Sequence, residues 1–145
     1  MTNNQRVVHL KKIVANSFAL SLKLQNYHWN VEGAHFKPLH ELFGEQYEEL
    51  SDAIDDLAER VRALGSKVEA TFASFSNVSQ AKDGDHTLDA TKMVQDLLND
   101  HENLSKMLNE GIKISQDEGD EATADMFIAR IQAHEKAAWM LRSSI

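Results

Sequence analysis

The chain has 145 residues and a formal net charge of −8, with 23 acidic against 15 basic side chains and no cysteine. That length suits one domain with a real core, and the missing cysteines exclude disulfides, thiolate zinc sites and iron–sulfur clusters. No apolar run reaches the 18 or so residues that a bilayer span requires, and the amino terminus lacks the basic-then-apolar pattern of a secretory signal, so the expected location is the cytoplasm.

The first helix is predicted over residues 6–31. Leu10, Val14, Leu24 and His28 share one stripe, with the small Ser17 and Ser21 between them. It ends on His28-Trp29-Asn30, and Gly33 and Pro38 mark the turn that follows. A histidine on an apolar stripe is ordinarily a satisfied core residue, so His28 read alone carries little.

The second helix is predicted over 36–64. Leu39, Phe43, Tyr47, Leu50, Ile54, Leu57, Val61 and Leu64 recur at steps of three and four, the period of a buried helical stripe, and Gly65 ends it. At about 100° per residue, His40, Glu48, Asp55 and Glu59 gather on a second face, roughly 120° from that stripe. An Asp–Glu pair one turn apart is ordinarily a solvated face. Here, however, metal-ligand residue types recur along one line of the helix.

Spacing decides where such a metal would sit. The 15 residues from His40 to Asp55 rise about 1.5 Å each, which separates the two by roughly 22 Å. They cannot share an ion within one chain. A two-fold axis near residue 48 or 49 would lay the helix antiparallel on its copy, and an isologous dimer would then build two identical sites. The expected first shell is His28 and His40 from one chain with Asp55 and Glu59 from its partner. Mixed nitrogen and oxygen donors suit iron, manganese or zinc.

Residues 66–87, rich in Ser, Ala and Asp, form a crossover too long for a hairpin turn, with Phe72 and Phe75 anchoring a short helical piece. The third helix is predicted over 88–115 on the stripe Val94, Leu97, His101, Leu104 and Leu108. The fourth is predicted over 121–142 through Ala124, Phe127, Ile131, Ala138 and Leu141. His101 and His134 are expected to be structural. Asp117, Glu118, Asp120, Glu121 and Asp125 crowd the start of the fourth helix. Read from the residues alone, they are carboxylates at a positive helix end, with Asp120 as cap.

The run from Asn26 to Gly65 contains His28-Trp29-Asn30, Gly33, His35-Phe36, Leu39-His40-Glu41, Asp55, Ala58-Glu59-Arg60 and Ala63-Leu64-Gly65. In these motifs, and in its length, long crossover and acidic Thr123-Ala124-Asp125 region, the chain strongly resembles the Dps family, the DNA-binding proteins from starved cells, over essentially its whole extent. The resemblance implies an all-α, ferritin-like four-helix bundle with one long crossover carrying a short helix, as a single domain spanning 1–145. It also implies a hollow dodecamer whose dimer-interface sites oxidise Fe(II), preferentially with hydrogen peroxide and with two irons per site, and which stores ferric mineral against oxidative stress. Ferritin-like di-iron bundles otherwise hold metal internally on two Glu-x-x-His motifs. That spacing occurs here once, at Glu32 and His35 in a turn, which favours the interface site.

By the same resemblance, His28, His40, Asp55 and Glu59 fall on ferroxidase ligand positions, Trp29 is the aromatic beside them, and Glu121 and Asp125 match a three-fold pore that admits iron. One position departs. Where the family commonly carries an acidic residue one turn after the second histidine, this chain has Gly44, which in a helix interior costs about 1 kcal/mol relative to alanine. The expectations are a weaker second iron, Glu48 substituting directly or through water, and a gain on Gly44→Asp. Zinc or manganese remain substitutes for iron, and the alternative is a nucleoid-binding or zinc-binding cage without oxidation. DNA binding is expected to be weak or absent, because phosphate recognition needs several cations whereas the charge is −8 and Met1 to Gln5 contain no Lys or Arg.

Overall fold

The structure, a computed structural model, describes residues 4–145; of the cation-free amino-terminal stretch, residues 1–3 lie outside the described residues. Five helices follow in order: α1 (Gln5–Asn30), α2 (Phe36–Ala63), α3 (Phe72–Val78), α4 (Ala90–Asp117) and α5 (Glu121–Arg142). Helices α1 and α2 form one hairpin and α4 and α5 a second. The two pack through α1 on α4 and α2 on α5, while α3 lies against α1. Because the segment from α2 to α4 crosses the bundle, this is the four-helix arrangement with one long crossover.

The predicted stripes are the core. Leu39, Phe43, Leu50, Leu57 and Val61 of α2 are buried against Leu10, Val14 and Leu24 of α1, Val94, Leu97, Leu104 and Leu108 of α4, and Phe127 and Leu141 of α5. Tyr47, Ile54 and Leu64, at the edge of the α2 stripe, are half-buried. No helix among the described residues is long and apolar enough to cross a membrane.

The helix ends follow local chemistry. At the end of α2, Ser66 N–H bonds the Val61 carbonyl (3.1 Å) and Gly65 N–H that of Arg62 (3.0 Å), with Gly65 at φ 92°. At the end of α4, Asp120 N–H bonds Ser115 (2.8 Å) and Gly119 N–H bonds Gln116 (3.0 Å), with Gly119 at φ 75°. Both are Schellman closures, which need a left-handed residue and so favour glycine. Asp89 and Asp120 cap α4 and α5, accepting from Lys92 and Thr123 backbone N–H.

One expected anchor is corrected. Phe75 packs on Phe18 with ring centroids 5.1 Å apart, but Phe72, the first residue of α3, is 84% exposed. The crossover is held instead by polar bonds: Asn16, buried on α1, accepts from Gln80 N–H at 2.8 Å, and Tyr27 OH accepts from Asp85 N–H at 3.1 Å.

Two polar clusters interrupt the apolar core. Lys23 on α1 is buried and pairs with Asp100 (2.8 Å) and Asp96 (3.2 Å) of α4, and Tyr27 OH donates to Asp96. The second cluster lies mid-bundle. His101 Nε2 meets Gln46 Oε1 at 3.0 Å, His101 Nδ1 meets His134 Nδ1 at 2.9 Å, and Arg130 reaches His134 Nε2 at 3.3 Å. His101 and His134 are thus structural, as expected. Their partners Gln46 and Arg130 carried no sequence signal, because sequence separation hides which helices face each other.

Candidate metal centre

His28 lies in the last turn of α1 and His40 in the second turn of α2, so the short turn at 31–35 brings them face to face. Their rings stack with centroids 3.8 Å apart and 12° between planes. Each ring is tied to the other residue's backbone: His28 Nδ1 lies 2.6 Å from the His40 carbonyl and His40 Nδ1 lies 2.5 Å from the His28 carbonyl.

A carbonyl oxygen only accepts, so both Nδ1 atoms carry the proton. In the neutral rings both Nε2 atoms then keep a lone pair. This is the arrangement by which proteins fix the tautomer and ring orientation of metal-binding histidines. Phe36 also stacks with His40, with centroids 5.1 Å apart, and Trp29 beside His28 is 63% exposed.

The carboxylates gather farther along α2. Single ligand oxygens of Asp55, Asp56 and Glu59 all lie within 4.8 Å of one another, on exposed side chains. It is the only cluster of three or more metal-ligand side chains at that spacing among the described residues. Asp56 extends the expected pair. Its signal was present, since it sits three residues before Glu59 and so on the same helical flank, but an acidic neighbour on an exposed helix is ordinary. Glu48 is exposed and not part of this cluster. The histidines and the carboxylates remain separated along one helix by the roughly 22 Å that the helical rise requires.

Gly44 faces His28. A Cβ built there would lie 2.9 Å from Cε1 and 3.0 Å from Nδ1 of His28. A carboxylate at 44 would enter space that the imidazole fills, so the His28 ring must shift to admit it.

The acidic start of α5 sorts into two groups. Arg6 donates to Glu118 (3.0 Å) and Asp120 (2.7 Å), and Arg60 donates to Asp120 (3.1 Å). Burial pushes the Asp120 carboxyl up, but hydrogen bonds from the Thr123 hydroxyl and backbone and from Arg6, with the Arg60 charge, outweigh it and hold it at about 2. Burial likewise opposes ionisation of Glu118, and bonds from Arg6 and Gln5 keep it below the usual carboxylate range. Glu118 and Asp120 are therefore structural. Glu121 and Asp125 are exposed, with no ion pair or hydrogen bond among the described residues.

Next to His28, Trp29 opens onto a surface where apolar and polar side chains mix. Phe18, Leu22, Trp29, Phe72 and Phe75 line a groove of about 690 Å³ between α1 and the crossover, and Leu22 is 53% exposed.

The helical bundle with its single crossover is the architecture of ferritin-like proteins, and the family model described as Ferritin-like domain matches residues 7–145. A DNA protection during starvation protein of Bacillus anthracis is 38% identical over 97% of this chain and 97% of its own length. Among solved structures, a Dps protein from Bacillus brevis superposes with a TM-score of 0.95 at 38% identity, covering 99% of this chain and 98% of that one. A Dps protein from Vibrio cholerae, described as a member of a broad superfamily of ferritin-like diiron-carboxylate proteins, superposes with a TM-score of 0.93 at 28% identity, covering 97% and 88%. Within the ferritin-like class, the chain belongs to the Dps family. That family's general role is iron storage and protection under stress.

Proposed function

We propose that this protein is a ferroxidase and iron store, in which His28 and His40 of one subunit and Asp55 and Glu59 of a second complete a site for Fe(II) at a two-fold interface. The observation that carries the reading is the reciprocal bonding of the two histidines, which leaves both Nε2 lone pairs available while the carboxylates lie too far along the same helix to reach them. Only a second copy supplies both halves. The exposed aromatic side chains of Trp29 and Phe72 belong to the surface that such a copy would cover.

The residues suit the ion. Imidazole nitrogen and carboxylate oxygen are acceptable donors for ferrous iron, and three clustered carboxylates supply the charge that stabilises a ferric product. Glu121 and Asp125 draw Fe(II) toward the cage interior by electrostatic focusing. At the interface, two ferrous ions each give up one electron to hydrogen peroxide. Its O–O bond breaks and, with two protons, it leaves as two waters. Pairing the electrons avoids the hydroxyl radical that a one-electron reduction releases, and ferric ions collect as mineral within a dodecameric shell.

Anaerobic loading of metal-free protein with Fe(II), followed by substoichiometric peroxide, tests the reading. The expected result is rapid ferric absorbance with one peroxide consumed per pair of ferrous ions. A rate equal to protein-free buffer overturns it.

A further inference from the structure

His28 does more than point at Gly44. Its ring occupies the volume that any side chain at 44 would need, since a Cβ there meets both Cε1 and Nδ1 at 3.0 Å or less. Nor is the ring free to swing away. Its Nδ1–H is committed to the His40 carbonyl, its face lies on the His40 ring, and His40 returns the same bond to the His28 carbonyl. The His40 carbonyl is also the one that helical pairing assigns to Gly44 N–H, four residues on. His28 is therefore docked on the single turn 40–44, and the bare Cα of residue 44 lets the ring lie this close to the helix.

We propose that Gly44 is a positioning residue that seats His28 as a metal ligand, and that it makes this half of the site a two-nitrogen donor set with no carboxylate. Glycine at this position is then a substitution with a function of its own. Imidazole suits zinc, copper, iron and nickel, whereas carboxylate suits manganese. The glycine thus tilts the site toward nitrogen-preferring ions relative to a carboxylate-bearing version of the same helix. The ligand part of this inference rests on the interface reading given above, whereas the packing of His28 on Gly44 does not.

The test uses the assembled, metal-free protein and the variants Gly44→Ala, Gly44→Asp, His28→Ala and the double variant Gly44→Ala with His28→Ala. Alanine is a better helix former than glycine, so Gly44→Ala does not weaken α2 through its helix propensity. Crystal structures of the metal-free parent and Gly44→Ala read the ring position directly, and calorimetry with Zn(II) and Mn(II) reads the affinities. Gly44→Ala is expected to shift the His28 ring off the 40–44 turn and to lower Zn(II) affinity about 10- to 100-fold, the usual effect of losing the support of a metal-binding histidine. In the His28→Ala background the same change should cause no further loss. Gly44→Asp should lower the ratio of Zn(II) to Mn(II) affinity.

A His28 ring unmoved in Gly44→Ala, or an equal loss of affinity with and without His28, overturns the proposal and leaves the ferroxidase reading intact. A displaced ring together with no Zn(II) binding by the parent overturns both the ligand role and the interface reading on which it rests.

Discussion

His134 donates its Nδ1–H to Nδ1 of His101, 2.9 Å away in the middle of the bundle. The direction follows from the ends of the network. Gln46 gives its amide N–H to the Ala137 carbonyl, so its oxygen accepts from His101 Nε2–H; neutral His101 then has only an acceptor at Nδ1. At the other end Arg130 donates to His134 Nε2. Each ring has one proton and one lone pair, both used, and a further proton would set donor against donor.

Acid should therefore destabilise the fold before its carboxylates titrate. Burial and the Arg130 charge lower His101 from 6.5 to about 3, and burial, His101 and Arg130 also push His134 well below 6.5. Unfolded chains bind both protons below pH 6.5, whereas the native rings remain neutral down to about 3 for His101. Stability present above 6.5 is lost as pH falls through that window. Where both unfolded rings are charged, the slope approaches about 3 kcal/mol per pH unit. Denaturant midpoints between pH 5.5 and 4.5 give the measurement, and a flat profile there contradicts neutral buried rings.

Gln46→Leu removes the acceptor for His101 Nε2–H and leaves that donor buried without a partner. An orphaned donor of this kind costs about 1–3 kcal/mol. The loss should appear in thermal unfolding while peroxide-dependent iron oxidation is unchanged, since Gln46 lies on the core side of α2.

Lys23→Met is expected to be more damaging. Burial raises the Asp100 carboxyl, and the Lys23 ammonium is the group that opposes this. The two side chains are 1% and 8% exposed, so removing the cation strands a buried charge at a cost of about 3–5 kcal/mol. Adding Asp100→Leu should recover much of it. A single variant as stable as the parent would show that solvent already reaches the pair.

What could be read from the sequence divides along physical lines. The α2 stripe and its end at Gly65 were legible because period and turn chemistry are local. The separation of His40 from Asp55 was legible because helical rise is fixed. Gly44 was visible as a missing carboxylate but not as a seat for His28, because that role depends on how a ring from another helix lies on α2. Phe72 was misjudged for a related reason: an aromatic residue in a crossover needs cover, and a single chain does not say whether its own core or a second subunit provides it. Gln46 and Arg130 carry no periodic mark distinguishing them from surface polar residues until the helices are assembled.

The carboxylate cluster yields a graded prediction. Asp55 and Glu59 lie one turn apart on α2, and Asp56 reaches the same cluster from one residue further around the helix. Under the proposed geometry, His40→Ala and Asp55→Ala each remove a direct donor. Either should abolish rapid oxidation of Fe(II) by peroxide, leaving helical content and assembly as in the parent. Asp56→Ala should retain the reaction at a reduced rate, because it removes negative charge beside the metal while the two carboxylates best aligned with the opposing histidines remain. Stopped-flow ferric absorbance at matched iron-to-protein ratios separates these outcomes. If Asp56→Ala is as inactive as Asp55→Ala, Asp56 is itself a ligand and supplies the oxygen donor that Gly44 leaves absent; if Asp55→Ala is fully active, the interface assignment fails.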